Sequence, residues 1–139
     1  MVVPVLVHGD AAFIGQGVVI VQQGSGLPGL DSAGAVLRML SDGTFTLLSG
    51  GADLGTGLDT VAVKVAAECL CTDMSNIAII SGDTDATPFD TGAYASRQAY
   101  VTSNAVFRAA RELKAKILEH AGRVTGKLGG ELDILNGDI

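Results

Sequence analysis

Along the first half of the chain the apolar residues fall in short β-branched runs, and along the second half they recur every three or four positions. Residues 17–23 (GVVIVQQ) form one such run and give way to Gly24, Ser25, Gly26, Leu27, Pro28 and Gly29, which predicts a strand ending in an irregular loop. Residues 35–41 (AVLRMLS) and 44–49 (TFTLLS) flank Asp42 and Gly43, a dipeptide that tolerates positive φ, and predict an antiparallel pair closed by a two-residue turn. From Gly57 the period changes. Leu58, Val61, Val65 and Cys69 share one side while Lys64 and Glu68 stand four apart on another, the spacing of a helix over 57–71. Residues 76–80 (NIAII) read as a buried strand, and the long loop 83–95 that follows is of a length that usually carries function in a compact domain. Val101, Ala105, Ala109, Leu113 and Ile117 mark a second, longer amphipathic helix from Ser96 to near Gly122, and 131–135 (ELDIL) reads as a last strand before Asn136 and Gly137.

The order strand, hairpin, helix, strand, helix, strand predicts an α+β fold. Each amphipathic helix needs an apolar surface to cover, so the expected architecture is a two-layer α/β sandwich: a mixed sheet of about four to five strands with two helices on one face. Residues 1–139 are expected to form a single subdomain, and a closing strand that runs into a turn suggests an excerpt of a larger subunit.

Composition narrows the partners. With 47% hydrophobic and 17% charged residues the chain can build a core and is not a disordered tail. A formal charge of −6 repels phosphate backbones and anionic lipid, so neither nucleic acid nor a membrane surface is an expected partner. Residues 1–7 are apolar but interrupted by Pro4 and preceded by no basic residue, so they read as neither signal peptide nor membrane span, and a cytoplasmic location is expected. Cys69 and Cys71 have no second pair with which to frame disulfides or a zinc site and read as small apolar residues.

Three stretches could carry chemistry. Gly24 to Gly29 satisfies G-x-G-x-x-G, but a dinucleotide fingerprint needs a helix directly after the glycines, and a hairpin follows instead. The run GGADLGTGLDT, residues 50–60, places four glycines between a strand and a helix, where exposed amides favour an anion or the edge of a cofactor; the alternative is a plain turn capped by Thr56 or Asp59. Asp83, Asp85 and Asp90 do not form a calcium loop, since Pro88 and Tyr94 occupy the positions that need Gly and Glu, and Asp83 and Asp85 read as local turn formers. Ser96 is placed to cap the second helix, whose start then lies on the same sheet edge as the first, and two such starts can hold one extended anionic cofactor. His8 and His120, the glutamates and the serines fall in no catalytic constellation.

Several motifs together resemble a known family. GGADLGTGLDT (50–60), AAE (66–68), SGDTDATP (81–88), GAYASR (92–97) and NAV (104–106) look like the molybdenum-cofactor-binding region of the large subunit of xanthine dehydrogenases and aldehyde oxidases, with the TPFDTGAYAS run most similar to bacterial xanthine dehydrogenase-like members. The resemblance implies a fragment of a molybdenum hydroxylase, an oxidoreductase whose molybdopterin-bound metal inserts water-derived oxygen into a C–H bond of a purine, another N-heteroaromatic ring or an aldehyde. Electrons then pass through iron-sulfur clusters to FAD, carried on other domains or subunits. Position by position, Leu54, Gly55, Thr56 and Gly57 match the loop that hydrogen-bonds the pterin, Ala95 and Ser96 match the loop beside the metal, and Tyr94 stands next to it, adjacent to substrate. The family more often has Gln where this chain has the shorter Thr56. Its glutamate base comes from a motif much nearer the C-terminus of the full subunit, so the resemblance implies no catalytic residue and no metal ligand here, and a chain that is inactive without the remaining cofactor-binding segments. The alternative from another class is a stand-alone small-anion or carrier module using the same helix starts.

Overall fold

The computed structural model describes residues 24–127 and 131–139. The expected strand at 17–23 and His8 lie outside them. Among the described residues the strands are β1 (Ala35–Met39), β2 (Phe45–Ser49) and β3 (Ile77–Ser81), and the helices are α1 (Leu58–Leu70) and α2 (Ser103–Thr125). The sheet order is β1-β2-β3, with β1 antiparallel and β3 parallel to β2, a mixed sheet with three strands among the described residues. The α+β class and the mixed sheet agree with the expectation.

Both helices cover one face of the sheet. Phe45, Leu47 and Ile77 from the strands meet Ala62, Val63, Ala66, Ala67 and Leu70 of α1 and Val106 and Ala110 of α2 in one buried cluster. Leu47, Ala62, Ala66, Val106 and Ala110 are completely inaccessible, and the small alanines let the helices sit close to the β-branched and leucine side chains below.

Local chemistry accounts for the departures from the expected elements. The β1–β2 turn has three residues rather than two: the Gly43 N–H donates to the Leu40 carbonyl, the Leu40 N–H to the Thr44 carbonyl, and Gly43 takes φ 86°. A type I turn followed by a left-handed residue matches the strand twist, and glycine supplies that residue without steric penalty. The second helix begins later than Ser96 and ends later than Gly122, stopping at Gly126 in the left-handed conformation; a π-helical turn, Gln98–Thr102, precedes it. Its most buried line runs through Ser103, Val106 and Ala110, while Val101, Ala105 and Ala109 are half-buried beside it. A row of residues four apart drifts around a helix of 3.6 residues per turn, whereas alternating steps of three and four stay over the core. The expected strand at 131–135 is not formed. Leu135 and Asp138 instead exchange backbone hydrogen bonds around Asn136 and Gly137, both at positive φ, and the Gly137 N–H donates to the Cys71 carbonyl at 2.9 Å. Asn-Gly suits that tight turn, and only Ile134 of the segment is buried, so there is too little apolar surface to hold a further strand on the sheet.

The unit β2–α1–β3 positions the site. Two parallel strands joined by a crossover helix bring their carboxyl ends, Ser49 and Ser81, side by side, and α1 starts just beyond them.

Candidate functional site

The first glycine-rich loop leaves β2 at Ser49. A Cβ on Gly51 would lie 2.8 Å from Leu58 Cδ2 and 3.1 Å from Thr102 Cγ2, so the chain there is pressed against the starts of both helical segments. Beyond it, Asp53 closes the loop on itself. Its Oδ1 accepts from the Gly55 N–H at 2.9 Å and the Gly57 N–H at 3.1 Å, and its Oδ2 accepts from the Asp59 N–H at 3.3 Å. Asp53, rather than Thr56 or Asp59, therefore serves the amides at the start of α1. The Asp59 carboxylate instead accepts from the Ser81 hydroxyl at 2.9 Å, tying α1 to the end of β3. The positive end of α1 already has an anion of its own, so the loop offers a ligand its outer rim: Leu54, 69% exposed, with Gly55 and Thr56 exposed beside it. Gly55 and Gly57 take φ 87° and 77°, and no atom lies within 4 Å of where a Cβ would stand on either. Their open backbone is a surface that another molecule can approach closely.

Partial burial pushes the Asp53 carboxyl up, yet the amides of Asp59, Gly57 and Gly55 outweigh it and hold its pKa below the ordinary 3.8. A carboxylate depressed on folding contributes stability that is fully present above its unfolded value and is lost as the pH falls through the folded one. Asp53→Asn is accordingly expected to lower the urea midpoint at about pH 6, and the gap from the parent should narrow as the pH falls below the ordinary carboxylate range. Urea titrations of both proteins across that range check it; a gap independent of pH would show that the charge contributes nothing.

The second loop is organised by buried charge. Asp83 forms local turns, as expected: its carbonyl accepts from the Thr87 hydroxyl at 2.6 Å and its carboxylate from the Asp85 N–H at 2.9 Å. Asp90 does something else. Its Oδ1 lies 2.6 Å from Arg97 Nη1, with the two side chains 2% and 0% exposed, and the same oxygen accepts from the Gly92 N–H while Oδ2 accepts from Thr102 Oγ1. Arg97 also donates to the carbonyls of Gly92, at 2.7 Å, and Ser32, at 2.9 Å. The planar guanidinium thus gathers three separate stretches of chain, as its fixed fork of donors allows. Just before it Ala95 and Ser96 both have positive φ, 46° and 51°. Ser96 therefore does not cap α2; Arg97 and a π-helical turn separate it from the regular helix, whose N-cap, Thr102, makes no side-chain capping bond.

The two loops meet. The Gln98 side-chain amide, itself buried, donates to the Ala52 carbonyl at 2.7 Å, and Thr102 packs under Gly51. Gly82, at the end of β3, donates to the Ser49 carbonyl and lies 3.6 Å, measured from its would-be Cβ, from Ala52 Cβ. The segment after Ser96 and the loop before Leu54 are hence joined at one end of the sheet. A third segment joins them: the Gly26 N–H donates to the Ala95 carbonyl at 2.9 Å, and Asp31 accepts from the Tyr94 hydroxyl at 2.5 Å. Sequence reasoning did not single out Asp31 or Gln98, weighed Asp90 only as a calcium ligand, and met Arg97 only as the last residue of the GAYASR motif. An Arg placed directly after a loop of aspartates was the available signal for Arg97, and the glycines at 24, 26 and 29 were a signal for the third segment, read as a failed nucleotide motif. Among the described residues no group of three or more His, Cys, Asp or Glu could hold a metal ion, and no helix is long and apolar enough to cross a membrane.

The rim is suited to some ligands more than others. Exposed glycine backbone, a threonine hydroxyl and the strained Ala95–Ser96 turn can meet the amide-like edge of a pterin ring, which pairs with peptide groups. Arg97 is committed to buried carboxylates, so it is not available to a phosphate.

The molybdopterin cofactor-binding domain family matches residues 8–139. The chain is 49% identical over 114 residues to the probable hypoxanthine oxidase XdhD of Escherichia coli K12, covering 82% of this chain and 12% of that protein. It is 43% identical over 112 residues to the putative xanthine dehydrogenase molybdenum-binding subunit XdhA of the same organism, covering 80% of this chain and 15% of that subunit. Among solved structures, quinoline 2-oxidoreductase from Pseudomonas putida 86 superimposes with a TM-score of 0.70 at 27% identity, over 76% of this chain and 13% of that one. CO dehydrogenase from Oligotropha carboxidovorans superimposes with a TM-score of 0.68 at 29% identity, over 72% of this chain and 12% of that one.

Proposed function

Because the chain belongs to the molybdopterin cofactor-binding domain family, we propose that it forms one part of the cofactor cradle of a molybdenum hydroxylase of the xanthine dehydrogenase type. Leu54, Gly55, Thr56 and Gly57 form one side of the cradle, Ala95 and Ser96 the other, and Tyr94 borders the substrate. The observation that carries this reading is the joining of the two loops at the carboxyl ends of β2 and β3 by the Gln98–Ala52 hydrogen bond. The cofactor, when bound, supplies the chemistry by which a water-derived oxygen replaces hydrogen on carbon with release of two electrons. This chain's residues act by binding and orientation: Gly55 and Gly57 allow close approach of a ring edge, Thr56 offers a hydroxyl, and Asp53 keeps the loop closed behind them.

Relatives named for hypoxanthine and xanthine, and a structural neighbour named for quinoline, favour an N-heteroaromatic substrate. The chain spans 12–15% of the two bacterial relatives, so the remaining cofactor-binding segments of such a subunit, with iron-sulfur and flavin domains or subunits, are the proposed partners. Gly55→Glu tests the reading. It adds a carboxylate and a Cβ at positive φ on the rim, and is expected to reduce molybdenum bound per chain in the assembled enzyme more than about tenfold while urea denaturation still shows a folded chain. Full molybdenum content in the folded variant would refute the assignment of this loop.

A further inference from the structure

We infer that Asp31 is a positioning residue of the candidate site: its carboxylate joins the segment that contains Gly26 to Tyr94 and Arg97 and so sets the Tyr94 phenol and the left-handed Ala95–Ser96 turn in one arrangement. The inference rests on the reading of that turn as part of the cradle.

The two oxygens of Asp31 have separate tasks. Oδ2 accepts from the Leu27 N–H at 2.6 Å, which fixes the carboxylate to its own loop. Oδ1 accepts from the Tyr94 hydroxyl at 2.5 Å and lies 3.4 Å from Arg97 Nε. That Nε is buried and has no hydrogen-bond partner, so Asp31 neutralises it through the ion pair alone. The Arg97 guanidinium carbon lies 5.7 Å from the centre of the Tyr94 ring, so the ring is held at its hydroxyl by Asp31 and faced by the cation.

Gly26 makes the approach possible. At φ 82° its N–H donates to the Ala95 carbonyl, and a Cβ there would stand 2.6 Å from Asp31 Oδ2. The turn between these anchors consists of two consecutive non-glycine residues at positive φ, a conformation that persists only where the surroundings over-determine it. Here the surroundings are the Gly26 N–H on the Ala95 carbonyl, the Asp31–Tyr94 bond on one side and the buried Arg97 on the other. The hydroxyl of Tyr94 holds the Asp31 carboxyl below its ordinary range, with the Leu27 amide and Arg97 adding to the effect against some desolvation, so the acceptor is ionised at neutral pH. The glycine run at 24–29, which binds no nucleotide by its pattern, is thereby explained as a third wall of the same site.

The chain contains no Trp and two Tyr, so tyrosine emission reports on this contact directly. In a Tyr100→Phe background, Asp31→Asn is expected to raise Tyr94 emission, because a phenol bound to a carboxylate is quenched by proton transfer in its excited state. In the assembled enzyme, Asp31→Asn and Tyr94→Phe should each raise the dissociation constant of molybdopterin about tenfold, and the double variant no more than either alone. Urea midpoints close to the parent separate this from loss of the fold. Unchanged emission, or an unchanged dissociation constant in folded Asp31→Asn and Tyr94→Phe, overturns the inference. Gly55→Glu is the reference: if it still lowers molybdenum content, the reading of the cradle stands and only the role of Asp31 fails. If it too has no effect, the cradle itself is refuted.

Discussion

Replacing Arg97 with Met is expected to lower the unfolding free energy by about 3–5 kcal/mol, because it strands the buried Asp90 carboxylate without a counter-charge. Arg97 and Asp90 are 0% and 2% exposed at their side chains, and Arg97 donates in addition to the carbonyls of Gly92 and Ser32. Removing the guanidinium therefore leaves the Asp90 carboxylate and two carbonyls in search of partners and takes the cation from beside Asp31. Arg97→Lys should recover little of the loss: an ammonium keeps the charge but cannot reproduce a planar fork that reaches the Asp90 carboxylate and both carbonyls together. Adding Asp90→Asn to Arg97→Met should restore part of the stability, since the Asp90 charge is then removed and Asp31 keeps its bonds from the Leu27 N–H and the Tyr94 hydroxyl, and the two changes should fall well short of additive. Urea denaturation of the parent, Arg97→Met, Arg97→Lys, Asp90→Asn and the double variant measures all of this. If Arg97→Met costs about 1 kcal/mol or less, the pair is solvated and the account of the second loop is wrong.

The next largest effect is expected at Gly50. A Cβ there would overlap the Pro88 carbonyl oxygen and stand 3.0 Å from Asp90 Cβ and 3.1 Å from the Asp90 nitrogen. The obstacle is backbone, which cannot rotate aside, so Gly50→Ala is expected to destabilise by about 3 kcal/mol, the upper part of the range for overpacking. Gly50 is not at positive φ, so no backbone strain contributes and the loss isolates the contact. Gly24→Ala is the control: it has open space around it and no positive φ, and it should leave the midpoint unchanged or slightly raised. Because Asp90 is the partner of Arg97, Gly50→Ala and Arg97→Met disturb one joint and should combine for less than their sum. Full additivity would mean that the two loops unfold independently.

How far the architecture could be read along the chain differed by element. β2, β3 and α1 were legible to within a residue or two: β2 and α1 because burial imposes its period on the local pattern, and β3, of which only Ile77 is buried although a buried strand was expected, because of its β-branched run. The start of α2 was not. Ser96 has the identity of a cap, but Ala95 and Ser96 are held left-handed by neighbours distant in sequence, and the chain needs a π-helical turn before it resumes a regular helix. The segment 131–135 misled for the opposite reason: alternation of apolar and polar residues predicts a strand only where a sheet edge receives it, and here a tight Asn-Gly turn docks on Cys71 instead. The charged pairs Glu112–Lys116 and Glu119–Arg123, four apart on α2, depend on helical spacing alone.

The candidate site divides along the same line. Period and glycine placement were enough to predict the α+β class and the two loops, since these follow from interactions between residues near each other in the chain, while the family was read from the resemblance of the motifs. The tertiary structure decided which groups are left exposed at the candidate site. It turned Asp53 inward to close the first loop, committed Arg97 to Asp90 and Asp31, and brought the glycine segment at 24–29 against Ala95. Those contacts join residues tens of positions apart, and only the folded arrangement of β2, β3 and the two helices sets their distances.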